Sequence, residues 1–294
     1  MALIDLHSHW GTERGWRGYP GGDAARQFAD MRRYFTSWKE GATASEANMA
    51  DHFRRYNMRT ILDLGFTWNL PIEEARAQHD YAFATQRAHP DVILGHWLQV
   101  NPRMPESLAE FERCIDNRIE FVGLSLGMPK PDGTGKPLST DGLWEPFLRI
   151  CIERNVPVLM PTGITALGAG VPGGLGFELD DIHPRHIDTV ARRWPDLKIV
   201  MSRPAWPWQA EAIAVMLHKP NVWYEVHGWR PKHFPQELKY EISRRLQDRV
   251  MFGAEYPMIN MDQLMQDWHE GGYSEEVLAK VFEKNAQAFL GSLF

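Results

Sequence analysis

Cysteine is nearly absent from these 294 residues, with Cys114 and Cys151 the only two. They share no paired spacing and both fall in helix-like stretches, which excludes a disulfide framework and a cysteine zinc site. Long apolar runs are missing as well, so no segment is predicted to span a bilayer. Positive charge is not in excess. The formal net charge of -6 leaves no basic footprint for nucleic acid, and no basic amphipathic stretch marks a membrane anchor. No charged leader with an apolar core precedes the first strand-like run, which makes the cytoplasm the expected compartment. Low-complexity tracts and short-period repeats are also lacking. What remains is an ordinary globular composition, 44% hydrophobic and 24% charged, whose default partner is a small molecule.

Short apolar, strand-like runs recur at 3–7, 60–64, 92–100, 121–126, 157–160, 198–202, 222–226 and 250–253. Most intervals carry helical periodicity, at 72–88, 108–117, 143–154, 187–194, 209–218, 236–247 and 274–290. Strand followed by helix, eight times over, predicts an α/β protein of (β/α)8 TIM-barrel type, with 1–294 as one domain. A long insertion at 11–57 follows the first strand, with helix-like stretches at 24–38 and 43–56, and a Gly-rich loop at 163–176 follows the fifth.

In such a barrel the chemistry sits at the carboxyl ends of the strands. Those ends carry His7 and His9, Asn69, Gln99 and Asn101, Ser125, Pro161 and Thr162, Arg203, His227 and Glu255. His7 and His9 are two residues apart, so on a regular strand their imidazoles share a face. Glu255 ends the eighth strand, which adjoins the first in a closed barrel, so His7, His9 and Glu255 are a candidate three-ligand metal site. Glu225, two residues before His227, is expected to orient it or to pair with a neighbouring strand. Trp10, Trp68, Trp97, Trp206, Trp208 and Trp229 lie near strand ends. They are read either as a ring that stacks on a planar substrate or as loop and interface packing. Arg14 and Arg17 in the insertion are read as solvated charges.

Several segments together carry a resemblance. They are Ile-Asp-Leu-His-Ser-His at the start, His-Pro-Asp-Val-Ile-Leu-Gly-His-Trp-Leu-Gln-Val-Asn-Pro, Phe-Val-Gly-Leu, Val-Pro-Val-Leu-Met-Pro-Thr-Gly, Trp-Pro-Asp-Leu-Lys-Ile-Val-Met-Ser-Arg, Trp-Pro-Trp and Phe-Gly-Ala-Glu-Tyr-Pro-Met. Over nearly its whole length the chain resembles the amidohydrolase-related proteins typified by aminocarboxymuconate semialdehyde decarboxylase and the resorcylate-type decarboxylases. Three positions depart from that pattern. Pro161 stands where the family carries a metal-binding histidine on strand five, and Arg203 where it usually has a histidine that activates water or contacts substrate on strand six. Glu255 replaces an aspartate on strand eight.

Two readings of the altered site stay open. In one, His7, His9 and Glu255 hold one divalent cation, zinc or manganese, and Arg203 binds a substrate carboxylate in bidentate fashion. In the other no metal is bound, and the Arg203 guanidinium supplies the positive charge beside Glu255. Arginine stays protonated and cannot be a general base, which leaves His227 as the candidate acid or base. The resemblance implies decarboxylation of a small carboxylated aromatic or ring-cleavage compound in aromatic catabolism. His227, Arg203 and Glu255 are then the catalytic candidates, and Arg203, Trp10, Asn69, Gln99 and Trp206 the substrate-binding ones. It also implies a homodimer. Hydrolysis or hydration, such as lactone opening, is the enzymatic alternative, and a non-catalytic ligand-binding barrel the other.

Overall fold

The computed structural model describes residues 2–18, 44–126, 142–165, 169 and 172–291. Eight parallel strands run in the order β1 to β8: β1 (Leu3–His9), β2 (Met58–Asp63), β3 (Ile93–Leu98), β4 (Phe121–Ser125), β5 (Val158–Pro161), β6 (Ile199–Ser202), β7 (Val222–Glu225) and β8 (Val250–Met251). The last strand is short, but the chain beyond it keeps bonding to the first. Leu6 N donates to Phe252 O at 3.0 Å, Glu255 N to His7 O at 3.1 Å and His9 N to Tyr256 O at 2.7 Å. These bonds bring the β8 end against the β1 end, completing a (β/α)8 barrel.

Helices between the strands form the outer layer: α1 (Glu46–Arg55), α2 (Ile72–Ala88), α3 (Ser107–Asp116), α4 (Glu145–Glu153), α5 (Pro184–Arg193), α6 (Gln209–His218) and α7 (Gln236–Ile242). After β8 come α8 (Met261–Glu270), α9 (Glu275–Ala279), a π-turn (Lys280–Lys284) and α10 (Asn285–Leu290). The helix expected over 274–290 is thus interrupted by one wide turn. The helix expected at 24–38 and part of the 163–176 loop lie outside the described residues. No helix among the described residues is long and apolar enough to cross a membrane.

The barrel interior is packed with Ile4, Leu6, Ile61, Leu94, Trp97, Phe121, Leu159, Val200 and Met251, with Phe289 and Leu290 of α10 joining the same cluster. Trp97 is therefore an interior residue and not part of a ring at the strand ends. Its indole N–H donates to Leu6 O at 2.6 Å. The space for it exists because Gly123 on β4 has no side chain: a Cβ there would meet the Trp97 ring at 2.2 Å. Cys114 and Cys151 are free and buried, and burial pushes both thiols up.

A change of phase in β1 decides where the histidines point. The pairing of β1 with β2 shifts between Asp5 and Ser8, so Asp5 faces Thr60 while Ser8 faces Leu62. Without this bulge Leu6 and His7 would lie on opposite faces; with it, Leu6 packs inside the barrel and His7 enters the cleft above. The bulge is held by the buried Asp5 carboxylate. It accepts from Ala254 N at 2.7 Å, His7 N at 3.1 Å, the Ser8 hydroxyl at 2.6 Å and the Thr60 hydroxyl.

The α2–α3 contact contains a second buried carboxylate, Glu110. It accepts from His79 Nδ1 at 2.6 Å and from Arg113 Nε at 2.8 Å, with Arg76 Nε at 3.3 Å. Burial alone would raise its pKa, but the His79 and Arg113 hydrogen bonds override that and hold it at about 2. A carboxylate with a depressed folded pKa contributes stability that is complete above its unfolded value and lost as pH falls through the folded one. Both guanidiniums are about one-third exposed and so partly screened by solvent, which leaves a contribution of about 2 kcal/mol. Glu110→Gln is therefore expected to be less stable than the parent by about that amount at pH 7. The gap should close between about pH 4.5 and 2. Urea midpoints measured across this range check it; parallel curves for the two proteins contradict it.

Candidate active site

His7 and His9 from β1, Asp63 from β2, Gln99 after β3, Arg203 after β6, Glu225 and His227 at the end of β7, and Glu255 after β8 converge at the carboxyl end of the barrel. The His7 and His227 rings stack at 3.7 Å with 9° between their planes, while His9 meets His7 edge-on at 5.0 Å. Carboxylates fill the angles between the imidazoles. Glu225 is fully buried, accepts from His227 Nδ1 at 2.5 Å and from its backbone N at 2.9 Å, and lies 3.4 Å from His7 Nδ1. Glu255 bridges His9 Nε2 at 3.5 Å and His227 Nε2 at 3.1 Å. Asp63 lies 3.7 Å from His9 Nδ1 and 3.9 Å from His7 Nε2, and accepts from Gln99 Nε2 at 3.1 Å and Gly65 N at 3.1 Å.

The electrostatics follow from this alternation. Burial would raise the pKa of Glu225 and Glu255, but the histidines around each, with Arg203 acting on Glu255, hold both well below the usual carboxylate range. Two stacked imidazoles do not both carry charge at low cost. Burial pushes His227 down to about 4 against the pull of Glu225, and the charge of His7 adds to that. For His7 burial opposes charge, yet Glu225, Asp63 and Glu255 together raise it. The carboxylates of the cleft thus favour positive charge at His7, while burial keeps His227 neutral at pH 7.

Strain accompanies the chemistry. Arg203 (φ 76°) and Glu255 (φ 54°) both occupy the left-handed region, which costs a non-glycine residue on the order of 1–3 kcal/mol and persists where the surroundings impose it. A Cβ on Gly228, itself at φ 82°, would lie 3.7 Å from the Arg203 side chain, so Arg203 rests beside the backbone that follows His227.

The family model described as Amidohydrolase matches residues 4–292. The chain belongs to the amidohydrolase family. It is an enzyme of the amidohydrolase superfamily. No curated protein matches it. Its fold is similar to that of 5-carboxyvanillate decarboxylase from Sphingomonas paucimobilis, with 18% identity, 98% of each chain covered and a TM-score of 0.68. A dihydroxybenzoic acid decarboxylase from Polaromonas, solved with bound manganese and the inhibitor 2-nitroresorcinol, is 16% identical with a TM-score of 0.66, covering 98% of this chain and 96% of that one. A probable 2-pyrone-4,6-dicarboxylic acid hydrolase from Acinetobacter baumannii is 12% identical with a TM-score of 0.62, covering 99% of this chain and 100% of that one.

In this amidohydrolase His7, His9, His227, Glu255 and Gln99 lie in one contiguous site, Gln99 through its bond to Asp63. Other expected contacts lie elsewhere. Trp10 is 1% exposed and packs against Tyr81 and His96, and it lies beneath Gly15, where a Cβ would meet the ring at 2.3 Å. Trp16, which the sequence does not single out, borders the site instead, 5.7 Å from the His9 ring. Asn69 is exposed and spends its amide on Gly18 O at 3.0 Å. Trp206 is 46% exposed and stands 6.2 Å from Trp229. Trp68 is buried, and Trp208 meets His183 at 4.7 Å. Arg17 pairs with Glu74 at 2.6 Å and Arg14 lies over the Tyr81 ring at 3.9 Å.

The family implies a divalent cation, and the residues present fit one. His7, His9 and Asp63 each offer a donor atom, all within 4.8 Å of one another, and both ring nitrogens of His7 are buried without a hydrogen-bond partner. Two imidazoles and one carboxylate are a donor set for zinc or manganese. Asp63 is not among the residues expected at the site, and the expected Glu255 faces the other nitrogen of His9 and is shared with His227. Extending the period-two pattern of β2 from Ile61 would have reached Asp63; Asn69 lies beyond the strand.

Proposed function

We propose that this amidohydrolase decarboxylates a small aromatic carboxylate that carries a ring hydroxyl. The observation that carries the reading is the Arg203 guanidinium, whose Nη1 is buried without a hydrogen-bond partner near Glu255, whose charge it feels. A guanidinium with one donor desolvated and unpartnered is a site for a carboxylate. Structural relatives named as decarboxylases of aromatic carboxylates support the same chemistry, and Trp206 and Trp229, tilted 37° to each other, offer aromatic surface for a ring at the rim.

Arg203 holds the carboxylate and fixes the ring. The ring hydroxyl gives its proton to Nε2 of His227, which is neutral before substrate binds and whose Nδ1 is tied to Glu225. Glu225 and Glu255, one against each nitrogen, stabilise the imidazolium so formed. His227 then delivers that proton to the ring carbon bearing the carboxylate. The carbon–carbon bond breaks, its electron pair restores the aromatic ring, carbon dioxide leaves, and the phenolate takes its proton from solvent. A divalent ion bound by His7, His9 and Asp63 would supply Lewis-acid stabilisation of the oxyanion.

A neutral His227 with Nδ1 held by a carboxylate is also the arrangement of a base that activates water, which favours lactone hydrolysis as the second reading. Incubation with a panel of hydroxybenzoates and a pyrone dicarboxylate separates the two. Carbon dioxide with an equal amount of decarboxylated arene is the expected result. An open-chain acid formed without carbon dioxide supports hydrolysis and overturns the main reading. Binding without turnover across the panel overturns both and leaves a ligand-binding barrel.

A further inference from the structure

Three groups of ligating side chains among the described residues bring their donor atoms within 4.8 Å of one another. In the first, His79, Glu110 and Cys114, the carboxylate is already saturated by His79 and by the Arg76 and Arg113 guanidiniums, and fixed cations oppose another. In the second, His7, Glu225 and His227, both Glu225 oxygens are committed to the ring and backbone of His227. The third, His7, His9 and Asp63, has no such commitment at His7, whose two nitrogens have no hydrogen-bond partner.

We propose that Asp63 is the carboxylate ligand of a divalent cation held with His7 and His9, positioned by Gln99, and that it replaces the donor that Pro161 does not offer on β5. The two oxygens of Asp63 are held unequally. Oδ1 accepts from Gly65 N at 3.1 Å and from Gln99 Nε2 at 3.1 Å, while Oδ2, 3.3 Å from the same Gln99 nitrogen, is the atom that approaches His7 Nε2 and His9 Nδ1. An amide and a backbone N–H behind one oxygen, with the other aimed at two imidazoles, is how an outer contact orients a ligating carboxylate. Charge points the same way. Arg203 acts on Glu255, on the β8 side, so a dication is less opposed at the β1–β2 side. The ion and the organic acid then occupy separate halves of the cleft, the ion at β1 and β2, the carboxylate at β6 to β8.

The test reads ion binding and does not depend on turnover. The full-length protein is stripped with chelator and titrated with manganese(II), the free ion being followed by its electron paramagnetic resonance. The parent should bind one ion per chain. Asp63→Asn, which keeps the shape of the side chain, should weaken binding at least 100-fold and Gln99→Ala about 10- to 100-fold. Glu255→Gln, which removes the charge behind His9 Nε2 but no proposed ligand, should weaken binding about 10- to 100-fold, less than Asp63→Asn. Far-UV circular dichroism and thermal midpoints show that each variant is folded; if Asp63→Asn is not, Gln99→Ala against the parent decides. Parent-like affinity in folded Asp63→Asn or in Gln99→Ala overturns the assignment, as does a Glu255→Gln loss equal to that of Asp63→Asn. Absence of binding by the parent overturns it too and favours Arg203 as the replacement for an ion. A protein that binds manganese in this pattern but releases no carbon dioxide leaves the ligand assignment standing and removes only the proposed reaction.

Discussion

His227→Asn is expected to lower kcat for carbon dioxide release by roughly 100- to 10,000-fold while leaving KM within a few-fold, the range typical of a positioned proton carrier. The size of the effect follows from the absence of a substitute. Arg203 holds its proton permanently, Glu225 and Glu255 are kept ionised by the histidines beside them, and His7 faces carboxylates on both of its nitrogens. His227 is neutral, fully buried and hydrogen-bonded to a carboxylate at Nδ1. Asparagine keeps a polar group in contact with Glu225 but accepts no proton at neutral pH, so folding and substrate binding should survive while proton delivery does not. Single-turnover measurements with a hydroxybenzoate substrate separate the chemical step from product release. A His227→Asn variant that retains half of the parental kcat removes this residue from the mechanism.

Arg203→Met should act on the other parameter, raising KM by about 10- to 150-fold, the equivalent of a charged hydrogen bond of roughly 1.5–3 kcal/mol. The grip on the carboxylate is present in the ground state and fades as that group becomes carbon dioxide, so little of it remains to lower the barrier. Methionine preserves the packing beside Gly228 while removing the fork. Arg203→Lys should recover less than half of the lost binding free energy, because one ammonium cannot match a planar carboxylate with two parallel bonds. Initial-rate kinetics over a wide substrate range check both variants. Collapse of kcat at unchanged KM would place Arg203 in the proton-transfer step instead.

Much of the barrel can be read along the chain because local pattern carries it. The helices at 72–88 and 209–218 coincide with α2 and α6, where apolar periodicity and flanking Pro71 or Pro220 agree. Strand positions hold for a related reason, since most are short apolar runs between turn signals. The residues that escaped are those placed by contacts far apart in sequence. The phase change in β1 depends on Asp5 reaching Thr60 and Ala254. Asp63 matters only because β2 lies beside the histidines, and Trp97 turns inward because β4 presents a glycine. Trp10 carries the same local signal as Trp206, yet one is core and the other rim. Pairings between distant segments decide such cases, and no local window contains them.

The bulge in β1 also separates two kinds of selection on one strand. Below it, Ile4 and Leu6 answer to the volume of the barrel interior; above it, His7 and His9 answer to reactivity. A regular strand would tie both to a single alternating pattern, so that changing one set would disturb the other. Here the two can drift independently, and chemistry at the mouth is free to diversify over an unchanged foundation.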